Sequence, residues 1–174
     1  MKKYFNMYNL VYAALLIAMT VILQSIKLYH MPQGGSVTAA GMVPLLLLSY
    51  RFGPVLGTCA GAIYGMINLI QDPFVVHPVQ VLFDYPLPYM CMGLAGLFRK
   101  NLILGTGLAF VGRFACHVIS GVVFFSGYAP QDTSPLMYSL IFNSTYLIPD
   151  YVICCIVLKF LPVQRLLKEM DNKR

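Results

Sequence analysis

The sequence predicts an all-α integral membrane bundle of six transmembrane helices, which forms a single domain over residues 1–174 with both termini in the cytoplasm. The composition is 59% hydrophobic and 10% charged, and the mean hydropathy is +0.73. Apolar runs of about 20 residues recur along the chain, and each is long enough to cross the hydrocarbon core as a helix. A soluble domain would not carry so many such runs, so the chain is expected to be a membrane protein.

Proline, glycine and charged residues divide the chain into six spans. The spans cover residues 7–29, 37–51, 53–71, 77–98, 102–126 and 134–161, with boundaries good to about four residues. Lys2 and Lys3 precede the first apolar run as they would in a signal peptide, but no small-residue cleavage site follows. The first run is therefore expected to be a retained helix.

The distribution of cations predicts the orientation. If the N-terminus is cytoplasmic, ten of the twelve lysines and arginines lie at cytoplasmic ends of spans: Lys2, Lys3, Arg51, Arg99, Lys100, Lys159, Arg165, Lys168, Lys173 and Arg174. Lys27 falls at an outer end, and Arg113 falls inside the fifth span. The positive-inside rule then puts both termini in the cytoplasm. The net charge of +6 follows from this topology, so no nucleic-acid partner is expected.

The first loop, residues 30–38, is polar and rich in glycine between two apolar runs. Backbone outside a helix must line a cavity or face water in a membrane protein. Gly34 and Gly35 admit backbone angles that other residues avoid, and the fixed φ angle of Pro32 restricts the path of the chain that leads into them. We expect Gln33, Gly34, Gly35 and Ser36 to form a lid over a ligand, and an ordinary interhelical turn is the alternative.

Two stripes of small residues predict close helix packing. Gly53, Gly57, Gly61 and Gly65 recur every four residues in the third span, where missing side chains would let another helix approach. Ala14 and Ala18 form a similar but weaker pair in the first span.

The sequence offers no recognisable catalytic or metal site. It contains no HExxH or GxSxG motif and no phosphate-binding loop. The five cysteines lie in apolar segments without the spacing of metal ligands: Cys59, Cys91, Cys116, Cys154 and Cys155. We expect them to be buried apolar side chains rather than disulfides or metal ligands.

Polar residues in the last three spans predict a pocket near the outer surface. Counted from the outer ends at ~1.5 Å per residue, Asp84 and Tyr85 lie ~10 Å deep, His117 ~13 Å, and Tyr138 and Asn143 ~6–13 Å. These similar depths favour one pocket beneath the first loop. The tyrosines could instead be interfacial aromatics, and Asn143 and His117 could join helices by hydrogen bonds. Asp84 fits a purely structural role least well, since a charge in the bilayer is costly.

Arg113 and Asp150 lie deeper, ~20 and ~24 Å from the outside by the same count. A buried ion pair between the fifth and sixth spans would neutralise both side chains. Alternatively, Arg113 could orient His117, which follows it by one turn on the same helix face.

The residues expected around this pocket favour a small, flat, cationic heteroaromatic ligand. One carboxylate would neutralise its charge, and aromatic rings would stack or make cation–π contacts. Those rings come from Phe74, Tyr85, Phe124, Phe125, Tyr128 and Tyr138. A transporter without an ATPase motif must be driven by an ion gradient or by partner subunits. Six short spans without an inverted repeat favour partner subunits.

Several motifs closely resemble the ThiT (YuaJ) family, the thiamine-specific S-components of energy-coupling factor (ECF) vitamin transporters. They are Met31-Pro-Gln-Gly-Gly-Ser-Val-Thr38, Arg51-Phe-Gly53, Tyr64-Gly65, His77-Pro-Val-Gln-Val-Leu-Phe-Asp84-Tyr85-Pro86, Gly93-Leu-Ala-Gly96, Arg113-Phe-Ala-Cys-His117 and Ser120-Gly121. The resemblance implies a bacterial plasma-membrane subunit without enzymatic activity or a cofactor of its own. Its partners would be a transmembrane T-component and two ATPases that use ATP.

The resemblance also implies roles for particular residues. Asp84, His117, Tyr138 and Asn143 fall on thiamine-contacting positions of the family, and Tyr85 and Phe125 fall near the rings of the ligand. The pair Ala14 and Ala18 matches the surface by which S-components dock on the T-component.

This chain departs from the family pattern at two points. It carries Asp84 where family members can carry glutamate, and it has no tryptophan, so Phe125 would stack on the ligand. The alternatives are an S-component for another vitamin and a small membrane enzyme that uses His117 and Asp84 as an acid–base pair.

Overall fold

The computed structural model describes residues 7–32, 34–165 and 168. Seven α-helices are present in these residues: α1 Met7–Ser25, α2 Val43–Phe52, α3 Pro54–Gln71, α4 Pro78–Asp84, α5 Pro86–Met90, α6 Leu102–Phe124 and α7 Pro135–Phe160. Cys91–Leu97 and Ser126–Tyr128 are 3₁₀ helices, and β1 Lys27–His30 and β2 Ser36–Thr38 form a hairpin. The predicted all-α class is confirmed, with this hairpin as an addition.

Three of the described helices, α1, α6 and α7, are long and apolar enough to cross a membrane. Helix α2 is apolar but has only 10 residues. It lies in the core, where Leu45, Leu46, Leu48 and Tyr50 are almost completely buried. The long helices instead expose large apolar side chains on their outer faces, as helices in contact with lipid do.

The helix boundaries agree with the predicted spans except around the first loop and within the fourth span. Helices α3, α6 and α7 begin and end within two residues of the prediction. Helix α1 stops at Ser25, and α2 starts only at Val43, because residues 27–30 and 36–38 pair as antiparallel strands. In the turn between the strands, Gly34 and Gly35 have φ angles of 86° and 84°, which glycine adopts without steric cost.

The predicted fourth span, residues 77–98, is broken rather than continuous. Helix α4 ends at Asp84, α5 begins at Pro86, and the 3₁₀ helix follows from Cys91. Pro86 and Pro88 have no backbone N–H, so the helical hydrogen-bond ladder cannot run through this region unbroken. The break puts Asp84 at the last turn of a short helix.

Close packing along α3 confirms the interpretation of its glycines. A Cβ on Gly61 would lie 2.0 Å from the carbonyl oxygen of Tyr89, and one on Gly65 would lie 2.6 Å from that of Tyr85. Backbone atoms cannot move away from such a clash, so the broken span packs directly on these glycines. Gly53 has a different role, because it joins α2 to α3 with a φ of 90°.

The five cysteines are free thiols, and four of them are at least partly buried. The prediction that all are buried is wrong for Cys59, which is exposed on α3. Apolar α3 side chains such as Val55 and Ile63 are exposed too, so this surface belongs to the outside of the bundle.

Candidate ligand-binding site

A cavity of about 490 Å³ lies beneath the hairpin, between α4, α6 and α7. Its wall includes all six predicted binding residues: Asp84, Tyr85, His117, Phe125, Tyr138 and Asn143. Of the predicted lid, Gly34, Gly35 and Ser36 also line it, and Gln33 lies outside the described residues. The structure thus brings together side chains that are far apart in the sequence.

Asp84 and His117 form the polar centre of the cavity. The Nδ1 atom of His117 lies 3.2 Å from Oδ1 of Asp84, and the two side chains are 11% and 18% exposed, respectively. Within the described part of the chain, Nε2 of His117 is buried without a hydrogen-bond partner. A buried ring nitrogen in that state is a site where a ligand can supply the missing hydrogen bond.

Gln80 holds this carboxylate in place, and our interpretation of the sequence did not identify it. Its Nε2 donates to Oδ2 of Asp84 at 2.5 Å and to the carbonyl oxygen of Phe74 at 3.0 Å. Its Oε1 accepts from the backbone N–H of Val76 at 3.1 Å. Gln80 therefore joins the carboxylate to the loop between α3 and α4. The sequence does contain a signal for this contact, because residues four apart in a helix, as Gln80 and Asp84 are, lie on the same face.

The aromatic side of the cavity is built on the same loop. The hydroxyl group of Tyr85 accepts from the backbone N–H of Phe74 at 2.6 Å and donates to the carbonyl oxygen of Asp72 at 2.9 Å. Phe74 stacks on Phe125, with ring centroids 5.9 Å apart and an interplanar angle of 22°. The ring of Tyr85 is thus part of the wall while its hydroxyl group fixes the loop, and Phe125 presents a supported ring.

Asn143 is buried and hydrogen-bonded within α7. Its Nδ2 donates to the carbonyl oxygen of Ser139 at 2.8 Å, and its Oδ1 accepts from the hydroxyl group of Tyr146 at 2.7 Å. Tyr146 was not predicted as a site residue, yet its ring lines the cavity and contacts the ring of His117 edge-on. Tyr138 lies farther along the cavity, where its ring packs against Phe142.

Tyr146 also explains the second glycine of the hairpin turn. A Cβ on Gly35 would lie 2.7 Å from Cε1 of Tyr146, in addition to the unfavourable positive φ angle. The hairpin turn can approach this ring only because Gly35 has no side chain.

The predicted ion pair between Arg113 and Asp150 is confirmed. Nη1 of Arg113 lies 3.2 Å from Oδ2 of Asp150, and the side chains are 5% and 0% exposed. The other carboxylate oxygen, Oδ1, accepts from the hydroxyl group of Thr38 at 3.0 Å and from its backbone N–H at 3.3 Å. Because Thr38 ends β2, this buried pair also fastens the hairpin to α7.

Two polar contacts connect the residues at the mouth of the cavity. Lys27 of β1 forms an ion pair with Asp72, which follows α3. His30 Nδ1 and Ser36 Oγ share a hydrogen bond of 2.9 Å across the hairpin. Lys27, His30, Ser36 and Asp72 all line the cavity. The ion pair ties the hairpin to the end of α3, and the hydrogen bond between His30 and Ser36 joins the two strands of the hairpin to each other.

Comparisons with known proteins agree with these features. The family model described as "Thiamine transporter protein" matches residues 10–169. The chain is 37% identical to the thiamine transporter ThiT of Bacillus subtilis, with 92% of this chain and 94% of the relative covered. It is 32% identical to ThiT of Lacticaseibacillus paracasei, over 68% and 71% of the two chains. The solved structure of ThiT from Listeria monocytogenes has the same fold, with a TM-score of 0.77, 20% identity, and 93% and 94% coverage.

These findings separate a transporter from an enzyme. The relatives are named as transporters, so the alternative of an enzyme that uses His117 and Asp84 is wrong. The long apolar helices and bacterial relatives identify a multi-pass protein of a bacterial plasma membrane. Because the family model covers nearly the whole chain and two relatives exceed 30% identity, this chain belongs to the thiamine transporter protein family, the family of ThiT (YuaJ).

Proposed function

We propose that this chain is the thiamine-binding S-component of an ECF importer. It takes thiamine from outside the cell and delivers it with a T-component and two ATPases. The observation that carries this proposal is the partly buried carboxylate of Asp84, next to His117 and an aromatic wall in one cavity. The chain needs no cofactor of its own in this scheme, since its partners use the ATP.

The cavity matches the chemistry of thiamine. Thiamine has a fixed positive charge on one heteroaromatic ring and an amino group with ring nitrogens on the other. Asp84 would neutralise the charge, and Phe125 would stack on a ring or make a cation–π contact. On the cavity wall, Nε2 of His117 would exchange a hydrogen bond with the ligand, and Oδ1 of Asn143, which accepts one bond from Tyr146, would accept a second.

An S-component for another vitamin is the remaining alternative. Riboflavin and folate have no fixed positive charge, so neither would compensate the desolvated carboxylate of Asp84. A buried charge without compensation is costly, which favours thiamine as the ligand.

We infer six membrane crossings with both termini in the cytoplasm. In this arrangement α1, α3, α6 and α7 each cross once, and the broken segment 78–97 crosses once. Helix α2 would span only ~15 Å by itself, so β2 and residues 39–42 complete that crossing. Non-helical backbone is tolerated there because most of it is buried in protein. The exposed cations Lys100 and Lys159 and the buried Arg51 lie at the ends of helices remote from the cavity, as the positive-inside rule expects of a cytoplasmic side.

Ala14 and Ala18 form the proposed docking surface for the T-component. Both side chains are exposed on α1, beside the large exposed side chains of Val11, Leu15 and Ile22. The pair leaves a shallow depression on the outer face, where a partner helix could approach closely.

Substituting Ala14 or Ala18 by tryptophan should abolish thiamine uptake while thiamine binding survives. The indole ring would hold the partner helix away, and association in lipid has no hydrophobic drive that compensates for lost contact. Uptake is measured in proteoliposomes that hold the complete complex with ATP, and binding is measured by titration of the purified chain.

Val111→Trp on α6 is the matched control, because Val111 is 64% exposed and belongs to a different helix. Normal uptake by both alanine variants would contradict the docking surface. Loss of binding as well as uptake would show instead that α1 supports the cavity.

A further inference from the structure

A second cavity, of about 610 Å³, lies where α6 begins and α7 ends. Its lining combines cations with apolar side chains, and it includes Thr106 of α6. Thr106 and His117 are eleven residues apart on α6, which corresponds to roughly 16 Å along the helix axis. This groove is therefore separate from the cavity that contains Asp84 and His117, which we call the thiamine cavity, and it lies toward the opposite end of the bundle.

The charge of the groove favours an anion as its ligand. Lys100, Lys159 and Arg165 all contribute to the lining, and none of the lining residues among those that the structure describes is an aspartate or glutamate. The two lysines come from different helix ends, since Lys100 precedes α6 and Lys159 lies in the last turn of α7. The bundle thus brings the cations of two separate segments to one groove, and together they would attract a negative group.

The apolar part of the groove favours a ligand that has a hydrocarbon portion. Leu102, Leu158 and Leu161 form its wall together with Ile103. Ile103 is 59% exposed, so the apolar wall of the groove continues onto the outer surface of the bundle. A small soluble anion would leave this surface in water, whereas an acyl chain would cover it.

We propose that this groove binds an anionic phospholipid, with the phosphate group near Lys100, Lys159 and Arg165 and an acyl chain along Leu102 and Ile103. Basic pockets between transmembrane helices at the cytoplasmic side are typical sites for such headgroups. The bound lipid would bridge α6 and α7, the two helices that supply His117 and Asn143 to the other cavity. The proposal requires only that the groove opens at a membrane surface, and it does not depend on the identity of the transported ligand.

Native mass spectrometry of the full chain in detergent tests the proposal. Delipidated protein is titrated with phosphatidylglycerol or phosphatidylcholine of the same acyl length, and the bound lipid is counted. We expect one phosphatidylglycerol to be retained in preference to phosphatidylcholine. A cation near a membrane surface contributes roughly fivefold to binding an anionic lipid, so Lys100→Gln/Lys159→Gln should weaken retention by about five- to thirtyfold.

Lys168→Gln, which removes one charge where the test variant removes two, is the control for a general charge effect, because Lys168 is an exposed lysine that does not line the groove. It should retain the lipid as the parent chain does. The conservative variant Lys100→Arg/Lys159→Arg should also bind phosphatidylglycerol in preference to phosphatidylcholine. It serves as the test of the groove's charge if the glutamine variant fails to fold.

Three results would overturn the proposal. Equal retention of the two lipids by the parent chain would show that the groove does not select charge. Equal loss in Lys168→Gln would indicate a general surface effect. Competition by glycerol 3-phosphate as effective as that by phosphatidylglycerol would identify a site for a soluble anion. Thiamine titration of the same samples reports separately on the other cavity, so failure of either proposal can be distinguished.

Discussion

Substituting Asp84 by asparagine should weaken thiamine binding by about ten- to over a hundredfold. The carboxylate is only partly exposed, and loss of a charge-assisted contact in such a site costs ~1.5–3 kcal/mol. Asparagine has nearly the same volume and can still accept a hydrogen bond from Gln80, so the wall of the cavity should stay intact. Calorimetric titration of the purified chain with thiamine measures the change.

Asp132→Asn provides the control for this variant. Asp132 is an exposed carboxylate in the segment between α6 and α7, and it does not line the thiamine cavity. Its removal changes the net charge by the same amount and should leave the affinity unaltered. If Asp84→Asn bound thiamine as tightly as the parent chain, Asp84 would not contact the ligand.

Asp150→Asn should destabilise the folded chain by ~3–5 kcal/mol, because it leaves the buried guanidinium group of Arg113 without its counter-charge. The change would also weaken the attachment of the hairpin, since Asp150 accepts two hydrogen bonds from Thr38. Stability is measured by denaturant titration of the protein in detergent, followed by circular dichroism.

The double variant Arg113→Met/Asp150→Leu separates the charge effect from the loss of packing. Replacing both members of a buried ion pair by apolar residues is often close to neutral, so this variant should recover most of the stability lost in Asp150→Asn. A change of less than about 0.5 kcal/mol in the single variant would mean that the ion pair does not stabilise the fold, given that surface substitutions fall in this range.

Much of the cavity wall was predictable from depth and polarity. Residues at similar depths in neighbouring helices must lie near one another, and polar side chains avoid lipid. That argument was sufficient to group Asp84 with His117 and Asn143, and to pair Arg113 with Asp150. It works because a helix that crosses the bilayer has a fixed rise per residue and a known direction.

The same argument could not predict where helices break or what supports the site. Residues 27–29 of β1 were included in the first span because Leu28 and Tyr29 extend the preceding apolar run, and composition does not show where a helix ends and a strand begins. Gln80 and Tyr146 act through contacts with Asp84 and Asn143, and such contacts depend on side-chain directions that span boundaries do not give. For a related reason, the sequence did not show that Cys59 is exposed. Side chains that face lipid and side chains that face the protein interior are equally apolar.

Calorimetric titration of the isolated chain tests most directly the central claim that this chain by itself forms a thiamine-binding site. The protein is purified in detergent, freed of thiamine, and titrated without ATP or any partner protein. We expect saturable binding of one thiamine per chain and no saturable binding of riboflavin. A folded chain that binds no thiamine under these conditions, or binds riboflavin as tightly as thiamine, would contradict the account.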